Sequence, residues 1–65
     1  MKSYSSLEII RILEDNGWYF VHSVGDHWQF KHPKKPGKVT VTHPVKDVPL
    51  KTVKSIFTQA KINLP

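Results

Sequence analysis

The stretch 25–33 constrains the fold of this chain more than any other, because aromatic and polar residues alternate along it. Trp28 and Phe30 are aromatic. The polar residues that alternate with them are His27, Gln29 and Lys31. Successive side chains of a β-strand point to opposite faces, so this strand would bury one face and expose the other. We predict a strand over 27–32 in an antiparallel sheet whose apolar face packs on helices, with His27 on the open face beside a cation.

A helix is predicted ahead of the sheet. Residues 5–8 (SSLE) have the spacing of a capping box, in which Ser5 caps the helix and the Glu8 carboxylate reaches back. An apolar stripe at helical spacing follows, formed by Leu7, Ile9, Ile10 and Leu13. Asn16-Gly17 ends the helix, because glycine readily adopts the left-handed conformation found after a helix C-terminus.

Two more strands and a second helix complete the chain. Residues 18–23 are rich in aromatic and β-branched side chains and predict a strand that pairs with 27–32 through a turn at 24–26. A third strand is predicted over 38–42, and the following proline ends it because proline cannot donate to a sheet ladder. Residues 50–61 have an apolar stripe at helical spacing. The order α-β-β-β-α, with two helices on one face of a three-stranded antiparallel sheet, is a two-layer α+β sandwich.

Length and charge limit the possible functions. The 65 residues form a single domain over 1–65 that is too small to enclose a deep cavity, so catalysis would occur on an open surface and suit a polymer substrate. The absence of cysteine excludes a disulfide-rich secreted mini-protein. No apolar run is long enough to span a membrane, and we expect a cytoplasmic protein. The formal net charge of +5 and the pI of about 9.8 favour a polyanionic partner.

Four short segments carry a resemblance to a known family. They are, in chain order, Asn16-Gly17-Trp18, Gly25-Asp26-His27, Phe30-Lys31-His32-Pro33 and residues 39–44 (VTVTHP). Over essentially its whole length the chain resembles the HicA family of toxins. The resemblance implies a fold like that of double-stranded-RNA-binding domains, ribosome-independent cleavage of mRNA, and neutralisation by a HicB-type antitoxin. The family's catalytic histidine corresponds to His27, and Asp26 stands where serine is common in the family.

His27 suggests acid–base chemistry without the resemblance. An imidazole exchanges a proton near neutral pH and needs no metal or cofactor to do so. If it took the proton from a ribose 2′-hydroxyl, that oxygen could attack the adjacent phosphate, while nearby cations stabilised the developing charge. The residue type alone leaves a second interpretation open, in which His27 is a polar strand residue that faces water.

The other histidines do not predict a metal site, and no cofactor is expected. Their spacing matches no zinc pattern, and the chain lacks cysteine. Uninterrupted alternation from Trp18 would place His22 on the inner face of its strand, where we expect it to pack. His32 and His43 each precede a proline at a strand end. We expect them to shape those ends, although either could contact a phosphate.

The lysines form two groups that could bind RNA phosphates. The first surrounds the turn after the second strand and consists of Lys31, Lys34, Lys35 and Lys38. The second surrounds the start of the second helix and consists of Lys46, Lys51 and Lys54. We expect Lys51 and Lys54 in the first turn of that helix, where lysine opposes the macrodipole and a bound phosphate would relieve the conflict. A solvated charged face is the alternative for each lysine taken singly.

Tyr19, which faces away from the predicted core, is the one candidate for base stacking.

The resemblance implies a toxin, and together with the residues discussed above it favours a metal-independent endoribonuclease. It would cleave single-stranded or structured mRNA with His27 as acid or base and would be inhibited by a HicB-type antitoxin. A non-catalytic RNA-binding module with the same basic surface is the alternative. A protein-interaction adaptor whose lysines meet an acidic partner is a third possibility. A steep loss of RNA affinity with rising salt would distinguish a phosphate binder from such an adaptor.

Overall fold

The structure, a computed structural model, describes residues 3–63. The helices are α1 (Ser6–Asp15) and α2 (Leu50–Ala60), and the strands are β1 (Tyr19–Val24), β2 (His27–Lys31) and β3 (Val39–Thr42). The strands form one antiparallel sheet in the order β1-β2-β3. The predicted α+β class and the order α-β-β-β-α are confirmed. Within residues 3–63 neither helix has both the length and the apolar character that a membrane span requires.

The core lies between the helices and one face of the sheet. Phe30 of β2 and Val39 and Val41 of β3 are buried on that face, and both helices contact β3. The other buried core residues are Tyr4, Ile9, Ile10, Leu13, Trp18, Val53, Ile56, Phe57 and Ala60. Burying one large apolar side chain stabilises the folded state by about 1.5–3 kcal/mol. This single layer of apolar contacts therefore supports the whole fold, since the chain has no disulfide.

The capping box at the start of α1 is confirmed. The Ser5 side-chain oxygen accepts the Glu8 backbone N–H at 3.2 Å, and the Ser5 backbone N–H donates to Glu8 Oε1 at 3.1 Å. The place of Leu7 in the apolar stripe was wrong, because this side chain is 48% exposed. Leu7 lies two residues before Ile9, which is about 200° around a helix of 3.6 residues per turn. The buried stripe of α1 consists of Ile9, Ile10 and Leu13, together with the Ser6 side chain.

An irregularity in β1 changes which of its side chains share a face. Phe20 pairs with Phe30, but His22 pairs with Gln29, so the register shifts between Phe20 and His22. Cross-strand partners lie on the same face of a sheet. His22 therefore lies on the Gln29 face, away from the core, and is exposed. The expectation that His22 packs in the core was wrong, because the β-bulge interrupts the alternation on which it rested.

Helix α2 has contrasting ends. At its start Pro49 occupies the N-cap position without a side-chain hydrogen bond, and no acidic residue lies in the first turn. At its end Lys61 adopts the left-handed conformation at φ 57°, and the Lys35 ammonium donates to the Ala60 carbonyl at 3.1 Å. The cation at the C-terminus stabilises the negative end of the helix dipole, whereas the first turn carries no acidic residue that would stabilise the positive end.

Candidate active site

The open face of the sheet is built around the polar residues of β2. His27 begins the strand, Gln29 follows at its centre and Lys31 ends it. Because β2 is the central strand, it has a neighbouring strand on each side. His27 pairs with Val24 of β1 and with Thr42 of β3. The arrangement places a histidine at one end of the face and a lysine at the other, with about 13 Å between their backbone positions at 3.3 Å per residue.

His27 is accessible from solvent, as the alternation in β2 predicts. Its side chain is 59% exposed, and its Nε2 atom lies 3.4 Å from Oδ1 of Asp26, which is 62% exposed. No other hydrogen bond or ion pair reaches the His27 ring from the part of the chain that the structure describes. One ring nitrogen therefore faces a carboxylate, and Nδ1 is open to a ligand.

The turn that carries His27 is held by the neighbouring strand. Gly25 has a positive φ of 60°, which suits a glycine in a tight turn. The next carbonyl, that of Asp26, accepts the His43 backbone N–H at 2.8 Å. This bond extends the β2–β3 pairing one step beyond His27 and Thr42. The backbone of His27 is therefore restrained on both sides, although its side chain is exposed.

The middle of the open face is polar and ordered by one side-chain bond. The Thr40 hydroxyl donates to Oε1 of Gln29 at 2.7 Å. Gln29 lies between Thr40 and His22 in the sheet. The Gln29 amide nitrogen is consequently directed away from Thr40 and can donate to an acceptor above the sheet. Amide and hydroxyl groups of this kind suit the phosphate and ribose oxygens of RNA.

The predicted RNA-binding lysines fall into different surroundings. Lys31 is on the open face with His27. Four others are exposed: Lys34 and Lys38 lie on the loop before β3, and Lys46 and Lys51 lie around the start of α2. Lys54 is also exposed, one turn into α2 rather than in its first turn. Lys35 differs, because it is half-buried and its ammonium bonds to the Ala60 carbonyl. The structure thus gives Lys35 a structural contact and leaves the other six facing solvent.

The aromatic residues divide as the sequence predicts. Trp18 is 2% exposed and Trp28 is half-buried, so neither presents a ring face for a base. Tyr19 is 50% exposed and pairs with Lys31, so its ring lies on the open face beside a cation. The indole N–H of Trp18 is buried without a hydrogen-bond partner among residues 3–63. Phe20 is 45% exposed but shares a face with Phe30, so on the open face it is Tyr19 that has the position that base stacking requires.

Two histidines outside the open face have hydrogen bonds that the sequence does not reveal. His32 Nε2 donates to the Asn16 carbonyl at 3.0 Å, and its Nδ1 accepts the Lys34 N–H at 2.9 Å. His43 Nδ1 lies 2.7 Å from the Ser6 hydroxyl oxygen. No three histidine or acidic side chains within 3–63 converge in a way that could hold a metal ion. The only signal in the sequence for either contact is that each histidine precedes a proline at a strand end.

A shallow apolar groove of about 260 Å³ lies between β3 and helix α2. Its lining residues are Thr40, Val41, Thr42, Val45, Val48, Pro49, Thr52 and Ile56. The groove reaches the start of α2, where Lys51 is exposed. None of the residues that line the groove has a titratable side chain. The groove therefore lacks an acid–base group, whereas the open face has His27.

Comparison with known proteins gives one result for this chain. No curated protein matches it. The family model described as the HicA toxin of bacterial toxin–antitoxin systems matches residues 7–62, which is nearly the whole chain and includes His27 and all seven lysines discussed above. The family predicted from the short motifs is thereby confirmed: the chain belongs to the HicA family of bacterial toxins.

Proposed function

We propose that this toxin is a metal-independent endoribonuclease that cleaves mRNA, with His27 as its acid–base residue. The observation that carries the proposal is the position of His27, which is 59% exposed on the open face of a sheet in a chain of net charge +5. Membership of a toxin family supports a destructive activity, and the shallow face suits a polymer. The proposed reaction needs no cofactor, because the 2′-hydroxyl of RNA supplies the nucleophile.

The arrangement supports a specific proton path. Asp26 Oδ1, 3.4 Å from Nε2 of His27, favours the tautomer with the proton on Nε2 and leaves the lone pair on Nδ1. Nδ1 would take the proton of a ribose 2′-hydroxyl as that oxygen bonds to the adjacent phosphorus. The bond from phosphorus to the 5′-oxygen then breaks, and the departing oxygen takes up a proton from water, while the protonated His27 ring returns its proton to the solvent. The products are a 2′,3′-cyclic phosphate and a 5′-hydroxyl, and no water is consumed in this step.

RNA would bind across the open face and along the exposed lysines. Lys31 lies at the far end of the same face as His27, and the Gln29 amide lies between them. Tyr19 beside Lys31 offers a surface on which a base can stack. The exposed lysines near the start of α2 would neutralise phosphates and release counterions. Lys46 and Lys51 flank the start of α2, whose first turn has no acidic residue and whose N-cap makes no side-chain hydrogen bond, although Asp47 lies two residues before that cap.

Inhibition of such an enzyme would have to come from another molecule, because its proposed catalytic side chain, His27, is exposed. A toxin–antitoxin family implies an antitoxin partner. We place a HicB-type antitoxin over His27 and the exposed lysines, with an acidic surface that complements the positive charge and speeds association. RNA and antitoxin would then compete. His27 would be modified by diethylpyrocarbonate in the free toxin and protected in the complex. Simultaneous binding of both, with His27 still reactive, would rule out inhibition by occlusion.

The test is cleavage of a 5′-labelled transcript by purified protein in excess EDTA. Wild type should cleave it, leaving 2′,3′-cyclic phosphate ends, and His27→Ala should not. His22→Ala is the matched control, because His22 is also exposed on the open face and pairs with Gln29. It should still cleave the transcript, because a contact between His22 and RNA would affect binding and not the proton transfer assigned to His27. If wild type binds the transcript and leaves it intact, the chain is an RNA-binding module without this activity.

A further inference from the structure

His43 connects three parts of the structure through its ring and its backbone. Its Nδ1 lies 2.7 Å from the hydroxyl oxygen of Ser6, the first residue of α1. Its ring packs edge-on against Trp28, with the ring centroids 4.7 Å apart. Its backbone N–H donates to the Asp26 carbonyl at 2.8 Å. One residue thus contacts the start of α1, the inner face of β2 and the turn that carries His27.

The hydrogen bonds of Ser6 determine which nitrogen of the neutral His43 ring carries the proton. Ser6 is 1% exposed, and its side-chain oxygen accepts the Val45 backbone N–H at 2.8 Å. The Ser6 backbone N–H in turn donates to the Val45 carbonyl at 2.8 Å. The Ser6 hydroxyl proton is then directed to His43 Nδ1, because a buried hydroxyl leaves no donor unused where an acceptor is present. The neutral His43 ring carries its own proton on Nε2 and is held in one orientation.

The ring contacts restrain the backbone that meets the catalytic turn. Because Ser6 and Trp28 hold the His43 side chain, the His43 backbone N–H is held in place opposite the Asp26 carbonyl. Asp26 is the residue immediately before His27, and its carboxylate also faces the His27 ring at 3.4 Å. A small rotation of the Asp26 peptide would therefore move the imidazole and its carboxylate neighbour together. Misplacement of a reacting group by about 1 Å can lower a rate a hundredfold.

We infer that His43 is a positioning residue for His27. Through its bond to Ser6 it holds the 25–27 turn in the geometry in which the His27 ring meets RNA. His43 does not itself touch the reacting atoms, since its side chain leaves the opposite face of the sheet and packs on Trp28. The inference rests on the proposed function for its kinetic consequence, whereas its structural part, the coupling of Ser6 and His43 to the turn, is independent of any activity.

His32 provides a matched control on the same scaffold. It too precedes a proline, is half-buried, packs edge-on against a tryptophan and bonds to the backbone of another element. Its bonds lie at the opposite end of β2 from His27, where it contacts Asn16 and Lys34. Replacing either histidine by alanine removes a comparable set of interactions, but only the change at His43 should reach the catalytic turn.

The structural part is tested by amide hydrogen exchange in the purified toxin. In Ser6→Ala and in His43→Ala, the amide of residue 43 should exchange about tenfold faster relative to the Val53 amide, which bonds to the Pro49 carbonyl at the start of α2 and reports on the rest of the fold. His43→Asn, which can offer an acceptor near the position of Nδ1, should restore most of the protection. In His32→Ala the ratio should be unchanged. Equal exchange ratios in all four variants would overturn the coupling.

The kinetic part is tested on the transcript at a temperature where circular dichroism shows each variant folded. His43→Ala should lower kcat about tenfold or more with KM within about twofold, and His43→Asn should recover most of the loss. His32→Ala should retain wild-type kcat.

A raised KM with unchanged kcat in His43→Ala would instead make His43 a direct RNA contact, and equal kcat losses in both alanine variants would reduce its role to stability. If wild type does not cleave RNA, the proposed function fails, while the exchange ratios still decide the coupling. If His43→Ala does not fold, Ser6→Ala and His43→Asn carry both tests.

Discussion

The ring of His32 occupies the space that a side chain at Gly17 would need. Gly17 follows the end of α1 with a φ of +91°, and a Cβ atom at this residue would lie only 2.7 Å from Nε2 of His32. The same Nε2 donates to the carbonyl of Asn16, the residue before Gly17. The short motifs at the end of α1 and the end of β2 are therefore parts of one contact, in which a glycine makes room for a histidine that anchors the helix end.

Gly17→Ala should destabilise the protein by more than about 1 kcal/mol, because alanine disfavours the positive φ and its methyl group displaces His32. Gly37→Ala is the matched control. Gly37 has a similar φ of +80°, but nothing lies within 4 Å of where its Cβ would be. Urea unfolding of the two variants separates the backbone cost, which both share, from the cost of moving His32. Equal destabilisation of the two would mean that the His32 ring moves aside without a measurable loss of stability.

Ser5→Ala should lower the free energy of unfolding by about 1 kcal/mol, since it removes the side-chain acceptor of the Glu8 N–H at the start of α1. Ser55→Ala serves as the comparison, because Ser55 is exposed within α2 and alanine is the better helix former there. We expect no loss, or a small gain, for that variant. Thermal unfolding followed by circular dichroism measures both, and an unchanged midpoint for Ser5→Ala would show that the capping box adds nothing to stability.

Lys35→Met should destabilise the fold by about 0.5–1.5 kcal/mol, because it removes the hydrogen bond from the Lys35 ammonium to the Ala60 carbonyl at the end of α2. Lys34→Met removes the same charge from an exposed neighbour and should leave stability unchanged. When the RNA affinity of both variants is measured as well, the comparison also tests the RNA-binding prediction for Lys34 and Lys35. Equal reductions in affinity with unequal reductions in stability would show that Lys35 serves both roles.

Replacing Lys51 and Lys54 together by alanine should weaken RNA binding and lower the slope of log affinity against log salt by about one for each phosphate that is no longer neutralised. Stability should stay equal or rise slightly, because a positive charge leaves the start of α2. Arg11→Ala, on the exposed side of α1, removes one positive charge and so controls for half of the change in net charge. Salt titrations of a fluorescent transcript give both quantities. An RNA affinity unchanged at low salt would move the binding site to the turn that contains Lys34 and Lys38.

Local signals in the sequence were sufficient for the fold. Ser5 and Glu8 define the start of α1, Gly17 its end, and the alternation around Trp28 assigns the two faces of β2. Each of these patterns acts over a few neighbouring residues, which is the range over which helix caps, turns and strand alternation operate. The order of elements and the exposed position of His27 followed from them.

The error at Leu7 is local, because it concerns the angle of one side chain around α1, but the other errors and omissions arise from contacts between residues that are not neighbours in sequence. The β-bulge that turns His22 outward is visible only in the pairing of β1 with β2. The bond between Ser6 and His43 joins residues 37 positions apart, and the bond from Lys35 to Ala60 joins residues 25 apart. No local pattern encodes such pairs. The candidate catalytic residue was therefore predictable, whereas the residues that hold its turn were not.

Expression of the toxin in bacteria, with total mRNA followed over time, decides whether His27 carries the toxic activity. We predict that wild type and His22→Ala arrest growth and deplete full-length mRNA, whereas His27→Ala accumulates as folded protein without either effect. Growth arrest by His27→Ala with the same loss of mRNA as wild type would contradict the proposed mechanism, because the toxin would then act without the residue on which its chemistry is proposed to depend.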